Sequence, residues 1–213
     1  MKQISRFLIF ASGSLSTKIL PKISNRDFII GVDYASYWLI QHHITPHLAI
    51  GDFDSVTPKE LKIISSQSKE IITFPCDKDF TDLELAVNKA ISLKAKSVII
   101  YGSLGTRLDH SLLSIQLLEK LLKNKIPATI INDTNQCFLC DSSATIKKSK
   151  KYKYLSILPI SRHLIISISG CRYPLKKTKI TRSLSLCVSN QIVSGSATIS
   201  IHRGLALIIQ SRD

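Results

Sequence analysis

The chain has 213 residues, 44% of them apolar, and carries a net charge of +14 from 29 Lys plus Arg against 15 Asp plus Glu. That length fits one large domain or two modest ones with a proper core, and the composition excludes a disordered chain. No stretch approaches the ~18 apolar residues that span a bilayer, so a soluble, cytoplasmic protein without membrane contact is expected.

The opening "MKQISRFLIFASGS" places Lys2 and Arg6 before the short apolar run "FLIF". This run falls well below the roughly 7–15 residues of a secretory core and reads as a buried first strand. Further short apolar runs follow at 28–32, 48–50, 71–74, 97–101 and 128–131. Such runs suit strands buried on both faces. Between them lie helical patterns. In "TDLELAVNKAISLKA", Thr81 and Glu84 form a capping-box pair ahead of an apolar stripe through Leu83, Ala86, Val87, Ala90 and Ile91. A second helix follows Asp109. Alternating strands and helices predict a parallel α/β sheet with helices on both faces for residues 1–142.

The remainder, 143–213, changes period. "YLSILPI", "LIISISG", "SLSLCVSN", "SATISIH" and "LALIIQS" are short and β-rich, and they predict an antiparallel β-sandwich or partly closed barrel. The charge is divided in the same way. Residues 142–213 hold 13 Lys plus Arg and a single acid, Asp213, whereas eight of the 15 acids lie between 52 and 84. The stretch "DSSATIKKSKKYK" is the expected boundary.

Five cysteines at irregular spacings give no disulfide framework, and "CFLC" at 137–140 reads as two strand cysteines rather than a zinc site. "HHITPH" at 42–47 is interrupted by Pro46 and reads as a turn. Tyr34 and Trp38 read as core, and His110 as a packing or capping residue.

Three acidic or glycine-bearing loops follow predicted strands, where open parallel sheets bind ligands. "GDFDS" supplies Asp52 and Asp54, which in extended chain point the same way. "PCDKDFTD" supplies Asp79 and Asp82. If the strands are neighbours, these carboxylates converge and repel one another unless a cation sits among them; oxygen-only ligands indicate Mg²⁺. "YGSLGTRLDHS" adds Gly102, Gly105, Arg107 and Asp109 at a helix start, parts suited to phosphate. Neither a P-loop nor a dinucleotide fingerprint is present. Each part also has a plainer reading: Asp54 and Asp109 as helix caps, Lys78 as a solvated loop lysine, and Arg107 as a partner of Asp109.

Taken in order, "GDFDS", "DKDFTDLELA" and "GSLGTRLDHSLLSIQLL" resemble the signature segments of the thiamine pyrophosphokinase family, and "ISGCRYPL" and "VSNQIVSGSATISIHRGLALII" resemble its C-terminal β-domain. The resemblance implies a homodimer that transfers a pyrophosphoryl group from ATP to the thiamine hydroxyl, giving thiamine diphosphate and AMP. It implies Mg²⁺ on Asp52, Asp54 and Asp79 with Asp82 supporting, and nucleotide or phosphate contacts from Asp33, Asp52, Ser55, Lys78, Gly102 and Arg107. Asp109 would orient or activate the hydroxyl, and Ser189 and Asn190 would lie near the thiamine ring. The chain departs from the family pattern at Thr106, where a second glycine is common. Two rival readings are a Mg²⁺-dependent phosphohydrolase using the same acids, and a nucleic-acid-binding protein using the basic C-terminal half. The second is disfavoured because the lysines cluster at the boundary and in turns, "KKSKKYK" and "LKKTK", without a regular aromatic interleave.

Overall fold

A computed structural model describes residues 6–213, which form two compact units, one ending at Asp133 and one running from Thr134 to Asp213. In the first unit, strands β1 (Arg6–Phe10), β2 (Asp27–Val32), β3 (Leu48–Gly51), β4 (Ile71–Thr73), β5 (Ser97–Tyr101) and β6 (Ala128–Ile131) lie in the order β4-β3-β2-β1-β5-β6, and every pairing is parallel. All six expected apolar runs are strands. In β1, Leu8 and Phe10 pack with Leu39 of helix α1 (Tyr34–Gln41), while Phe7 and Ile9 point to the opposite side. All four β1 residues are at most 1% exposed, so the strand is covered on both faces, as its unbroken apolar run requires.

The helices α2 (Pro58–Gln67), α3 (Asp82–Ser92) and α4 (Leu108–Lys123) complete this unit. Thr57 and Glu60 close a full capping box at α2. The box expected at α3 is only half formed. Thr81 Oγ1 accepts from Glu84 N, but the Glu84 carboxylate turns away to Lys120 Nζ of α4 at 2.9 Å. A cross-helix ion pair has replaced the local hydrogen bond.

The second unit contains two antiparallel sheets. Strands β7 (Asn135–Cys140), β13 (Ala206–Ser211) and β9 (Tyr154–Pro159) pair in the order β7-β13-β9. Strands β8 (Ser143–Lys147), β10 (His163–Ser169), β11 (Leu175–Thr181) and β12 (Ser196–Arg203) form a four-stranded sheet in the order β11-β10-β12-β8. Leu155, Ile157 and Ile208 from the first sheet share one core with Leu164, Ile166, Ile180 and Ile199 from the second, which makes a sandwich. Cys137 and Cys140 are buried on β7 without a disulfide. Because β7 pairs with β13, the compact unit starts before the compositional break at 142–150.

Two details differ from the sequence reading. "SLSLCVSN" forms no strand; residues 183–190 are turns and loop, with Leu184, Leu186 and Val188 exposed. The lysine-rich "LKKTK" segment, expected as a turn, lies in strand β11, paired with β10. No described helix is long and apolar enough to cross a membrane.

An ion pair fixes the lower end of the parallel sheet. Arg6 and Asp27 are register partners on β1 and β2, and Arg6 donates to Asp27 through Nε at 2.8 Å and Nη2 at 2.7 Å, while Ser24 N donates at 2.7 Å. Burial pushes the Asp27 carboxyl up, but the hydrogen bonds and charge of Arg6, with Ser24, outweigh it and hold the group below its ordinary 3.8. The depressed value means the stabilisation is complete above pH 3.8 and is lost as pH falls through the folded-state value. Asp27→Asn is expected to lower urea-unfolding stability by about 1.5–3 kcal/mol at pH 7, and the gap from wild type should close below pH 3.8.

At the upper end, the pairing Val32↔Ile50 brings Asp33 beside Gly51. A Cβ at Gly51 would stand 1.8 Å from Asp33 Oδ1. Gly51→Ala is therefore expected to displace the Asp33 side chain and lower the thermal midpoint by several degrees, corresponding to about 1–3 kcal/mol.

Candidate active site

The three loops expected to act together meet beyond the carboxyl ends of the parallel strands, around a cavity of about 540 Å³ within the first unit. Asp33, Asp52, Asp54, Ser55, Lys78, Asp82, Gly102 and Arg107 all line it. Asp79 and Asp109 are not among the lining residues. The strand order reverses direction between β1 and β5, so the loops after them flank a crevice of the kind that accepts ligands in open sheets. These loops touch directly: Gly13 N donates to Gly102 O at 2.8 Å, and a Cβ on Gly13 would fall 2.4 Å from that same oxygen.

Each acid is placed by its local backbone. Asp33 follows β2 with φ 46°, a left-handed conformation that non-glycine residues rarely adopt; its N–H donates to Ile50 O and its Oδ1 accepts from Phe53 N at 3.2 Å. Phe53 also has a positive φ, 58°, and buries its ring with Ile40, Ala49 and Ile64. This anchor breaks the extended geometry expected for "GDFDS". Asp52 turns inward and Asp54 lies more exposed, with Asp54 N donating to Asp52 Oδ1 at 3.2 Å.

Carboxylate oxygens from Asp33, Asp52 and Asp82 lie within 4.8 Å of one another. Lys78 enters this cluster with its side chain only 12% exposed, its Nζ 2.7 Å from Asp52 Oδ2 and 3.0 Å from Asp82 Oδ1. Burial opposes the lysine's charge, but its hydrogen bonds to Asp52 and Asp82 outweigh that and raise it above its ordinary value. Burial likewise opposes ionisation of Asp52, and the Lys78 and Asp54 hydrogen bonds overcome it and hold Asp52 low. Asp33 has no such partner. Burial, together with the charges of Asp82, Asp52 and Asp54, pushes it up to about 7. One lysine does not neutralise these acids, and an all-oxygen donor set short of positive charge fits a hard divalent cation such as Mg²⁺.

At the third loop, Arg107 Nη2 and Asp109 Oδ2 pair at 2.6 Å on the surface, and Asp109 is held down to about 2, chiefly by the Arg107 hydrogen bond. Asp109 is thus an ionised acceptor here. Ser103 was not singled out from the sequence. It lines the cavity, is 7% exposed, and its Oγ has no hydrogen-bond partner among the described residues. Nothing in "GSLGTR" distinguishes a buried hydroxyl from a solvated one, so the sequence carries no signal for it.

In the second unit, Asn190 is buried and its amide is engaged with backbone: Oδ1 accepts from Tyr173 N and Gln191 N, and Nδ2 donates to Tyr173 O at 2.8 Å. This fixes the turn in which Ser189, with φ 59°, is exposed.

Residues 20–130 match the family description "Thiamin pyrophosphokinase, catalytic domain", and residues 143–206 match "Thiamin pyrophosphokinase, vitamin B1 binding domain". Thiamine pyrophosphokinase of Bacillus subtilis (strain 168) is 33% identical over 186 residues, covering 86% of this chain and 87% of that one. The crystal structure of thiamine pyrophosphokinase from Bacillus subtilis superposes with a TM-score of 0.90 at 30% identity, over 98% of this chain and 100% of that one. The structure of thiamin pyrophosphokinase from Geobacillus thermodenitrificans gives 0.86 at 28% identity, over 98% of each chain. With both domains matched in order and a relative above 30% identity across most of its length, the chain belongs to the thiamin pyrophosphokinase family.

Proposed function

We propose that the acidic rim binds Mg²⁺ and the phosphates of ATP for the family's reaction, in which a pyrophosphoryl group passes from ATP to thiamine to give thiamine diphosphate and AMP. The observation that carries this reading is the convergence of Asp33, Asp52 and Asp82 around Lys78 at the strand ends. Asp52 is the central metal ligand, and Asp33 and Asp82 complete the converging set. Asp54, on the same cavity wall, and Asp79, in the loop that leads into α3, contribute from its edge. When bound, the cation shields phosphate charge and draws the triphosphate into line.

The chain's own groups do the rest. The thiamine hydroxyl oxygen forms a bond to the β-phosphorus as the bond to the AMP oxygen breaks, and catalysis of such a transfer is mostly positioning and charge stabilisation. Lys78 and Arg107 supply fixed positive charge to the nonbridging oxygens. Ser55 and the Gly102 turn contact phosphate, and Asp109, ionised beside Arg107, orients the hydroxyl. In the second unit, Ser189 sits near exposed Leu186, Val188 and Tyr173, a surface suited to an aromatic ring. We assign residues 1–142 to ATP and 143–213 to thiamine, in a cytoplasmic homodimer.

Purified protein incubated with thiamine and ATP is expected to form thiamine diphosphate and AMP in equal amounts, only with Mg²⁺. Asp52→Asn should lower kcat/KM by about 100-fold or more and Asp54→Asn by less. Release of free phosphate without thiamine would instead support the hydrolase reading.

Ser103→Ala tests the unpaired hydroxyl. If Ser103 Oγ donates to bound nucleotide, the variant should raise the KM for ATP about 3–10-fold with kcat little changed. Its thermal midpoint should be equal to or above wild type, because Ser103 Oγ makes no hydrogen bond among the described residues.

A further inference from the structure

The second unit holds a smaller cavity, about 230 Å³, that shares no residue with the acidic rim. One wall is the segment from Lys148 to Tyr154, between β8 and the start of β9. Lys148, Lys150 and Lys153 are exposed along it, and no Asp or Glu lines the cavity. The aromatic side chains steady the basic ones: Lys151 Nζ lies 5.0 Å from the centre of the Tyr152 ring, and Lys153 Nζ 4.9 Å from that of Tyr154. Tyr152 is itself buried. The nearby acid Asp213 accepts from Tyr154 Oη at 3.4 Å and is not part of the lining.

The other feature is Gln210 of β13. Its backbone is fixed by pairing with Gln136 on β7 and Leu155 on β9. The residue is only 7% exposed, yet it lines the cavity and its side-chain amide forms no hydrogen bond among the described residues. Three lysines and an amide donor carried by a fixed strand, with no carboxylate in the lining and Asp213 acting on Lys153 from outside it, are the parts of an anion site. The volume is below the roughly 300–1,000 Å³ of drug-sized sites, so the occupant is small.

We propose that this cavity binds a small, multiply charged oxyanion of the phosphate class, with Lys148, Lys150 and Lys153 neutralising its charge and Gln210 Nε2 donating to one of its oxygens. The lysines act as mobile point charges that do not distinguish one anion from another, and the glutamine fixes the position of the bound oxygen. Without Gln210 the same lysines would attract anions only diffusely, with strong screening by salt. The site is independent of the nucleotide assignment, since the two cavities have no residue in common.

The test is a ¹⁵N–¹H NMR titration of the full chain with inorganic diphosphate, at constant ionic strength and without metal or ATP. The Gln210 side-chain amide and the backbone amides of 148–154 are expected to shift together and saturate, while shifts at Lys78 and Arg107 report the acidic rim separately. Gln210→Leu keeps every charge and nearly the same volume, and it should weaken binding at this site about 10-fold or more. Lys150→Ala with Lys153→Ala should weaken it at least as much with an unchanged thermal midpoint. Gln210→Glu, similar in size and opposite in effect on an anion, should abolish saturation and guards against a folding defect in the leucine variant. A linear, unsaturating drift, or equal affinity in wild type and Gln210→Leu, would overturn the proposal and leave only a diffuse basic surface.

Discussion

The acidic rim depends on a balance between carboxylates that repel one another and one lysine that holds two of them. Three carboxyl groups within 4.8 Å cannot all ionise without compensation. Lys78 hydrogen-bonds Asp52 and forms an ion pair with Asp82, so the excess falls on Asp33, which burial and its neighbours' charges push up to about 7. The backbone holds these groups together against that repulsion. Asp33 is tied to β3 through its N–H to Ile50 O and its carboxylate to Phe53 N, Gly51 leaves room for its side chain, and Phe53 buries its ring to lock the turn. Ordering these groups in the free protein is stability given up at a functional site, and the buried core of the parallel sheet supports it.

The same sheet explains how much of this the sequence reveals. A strand covered on both faces must be apolar along its length, and short apolar runs mark β1, β2, β3 and β5 in this way, whereas β4, at the sheet edge, has no buried residue. Acids immediately after such runs are then legible as rim residues. What the sequence does not reveal is which of them turn inward. Extended spacing points Asp52 and Asp54 the same way, yet the left-handed Phe53 between them separates their directions, because burying an aromatic ring outweighs the strain of a positive φ. Ser103 was hidden for a related reason: its environment comes from distant loops, and a hydroxyl has no characteristic spacing.

In the β-domain, alternation is a weaker guide, and both local errors show why. "SLSLCVSN" has the period of a strand but forms a loop, because Cys187 alone of its apolar residues reaches the core. "LKKTK" has the composition of a turn but lies in β11, which needs only Leu175 and Ile180 to face inward. Pairing with β10 decides the second, and hydrogen bonds from Leu155 N to Asn190 O and Ile157 N to Cys187 O hold the first against β9.

That edge position also accounts for part of the basic charge. β11 ends its four-stranded sheet, and its outer side carries Lys176, Lys177 and Lys179. Lysines on an edge strand oppose pairing with another chain, and an extra residue in β11 between Leu175 and Thr178, opposite Ile166–Ile168 of β10, disrupts the flat edge further. These charges therefore need no ligand to explain them. The lysines between 148 and 153 are different: they lie in the segment before β9 rather than on an edge strand, and they share a cavity with Gln210, whose side-chain amide makes no hydrogen bond among the described residues. One net charge thus contains two populations, one serving solubility and the other converging on a cavity, and only the hydrogen-bonding state of a single glutamine separates them.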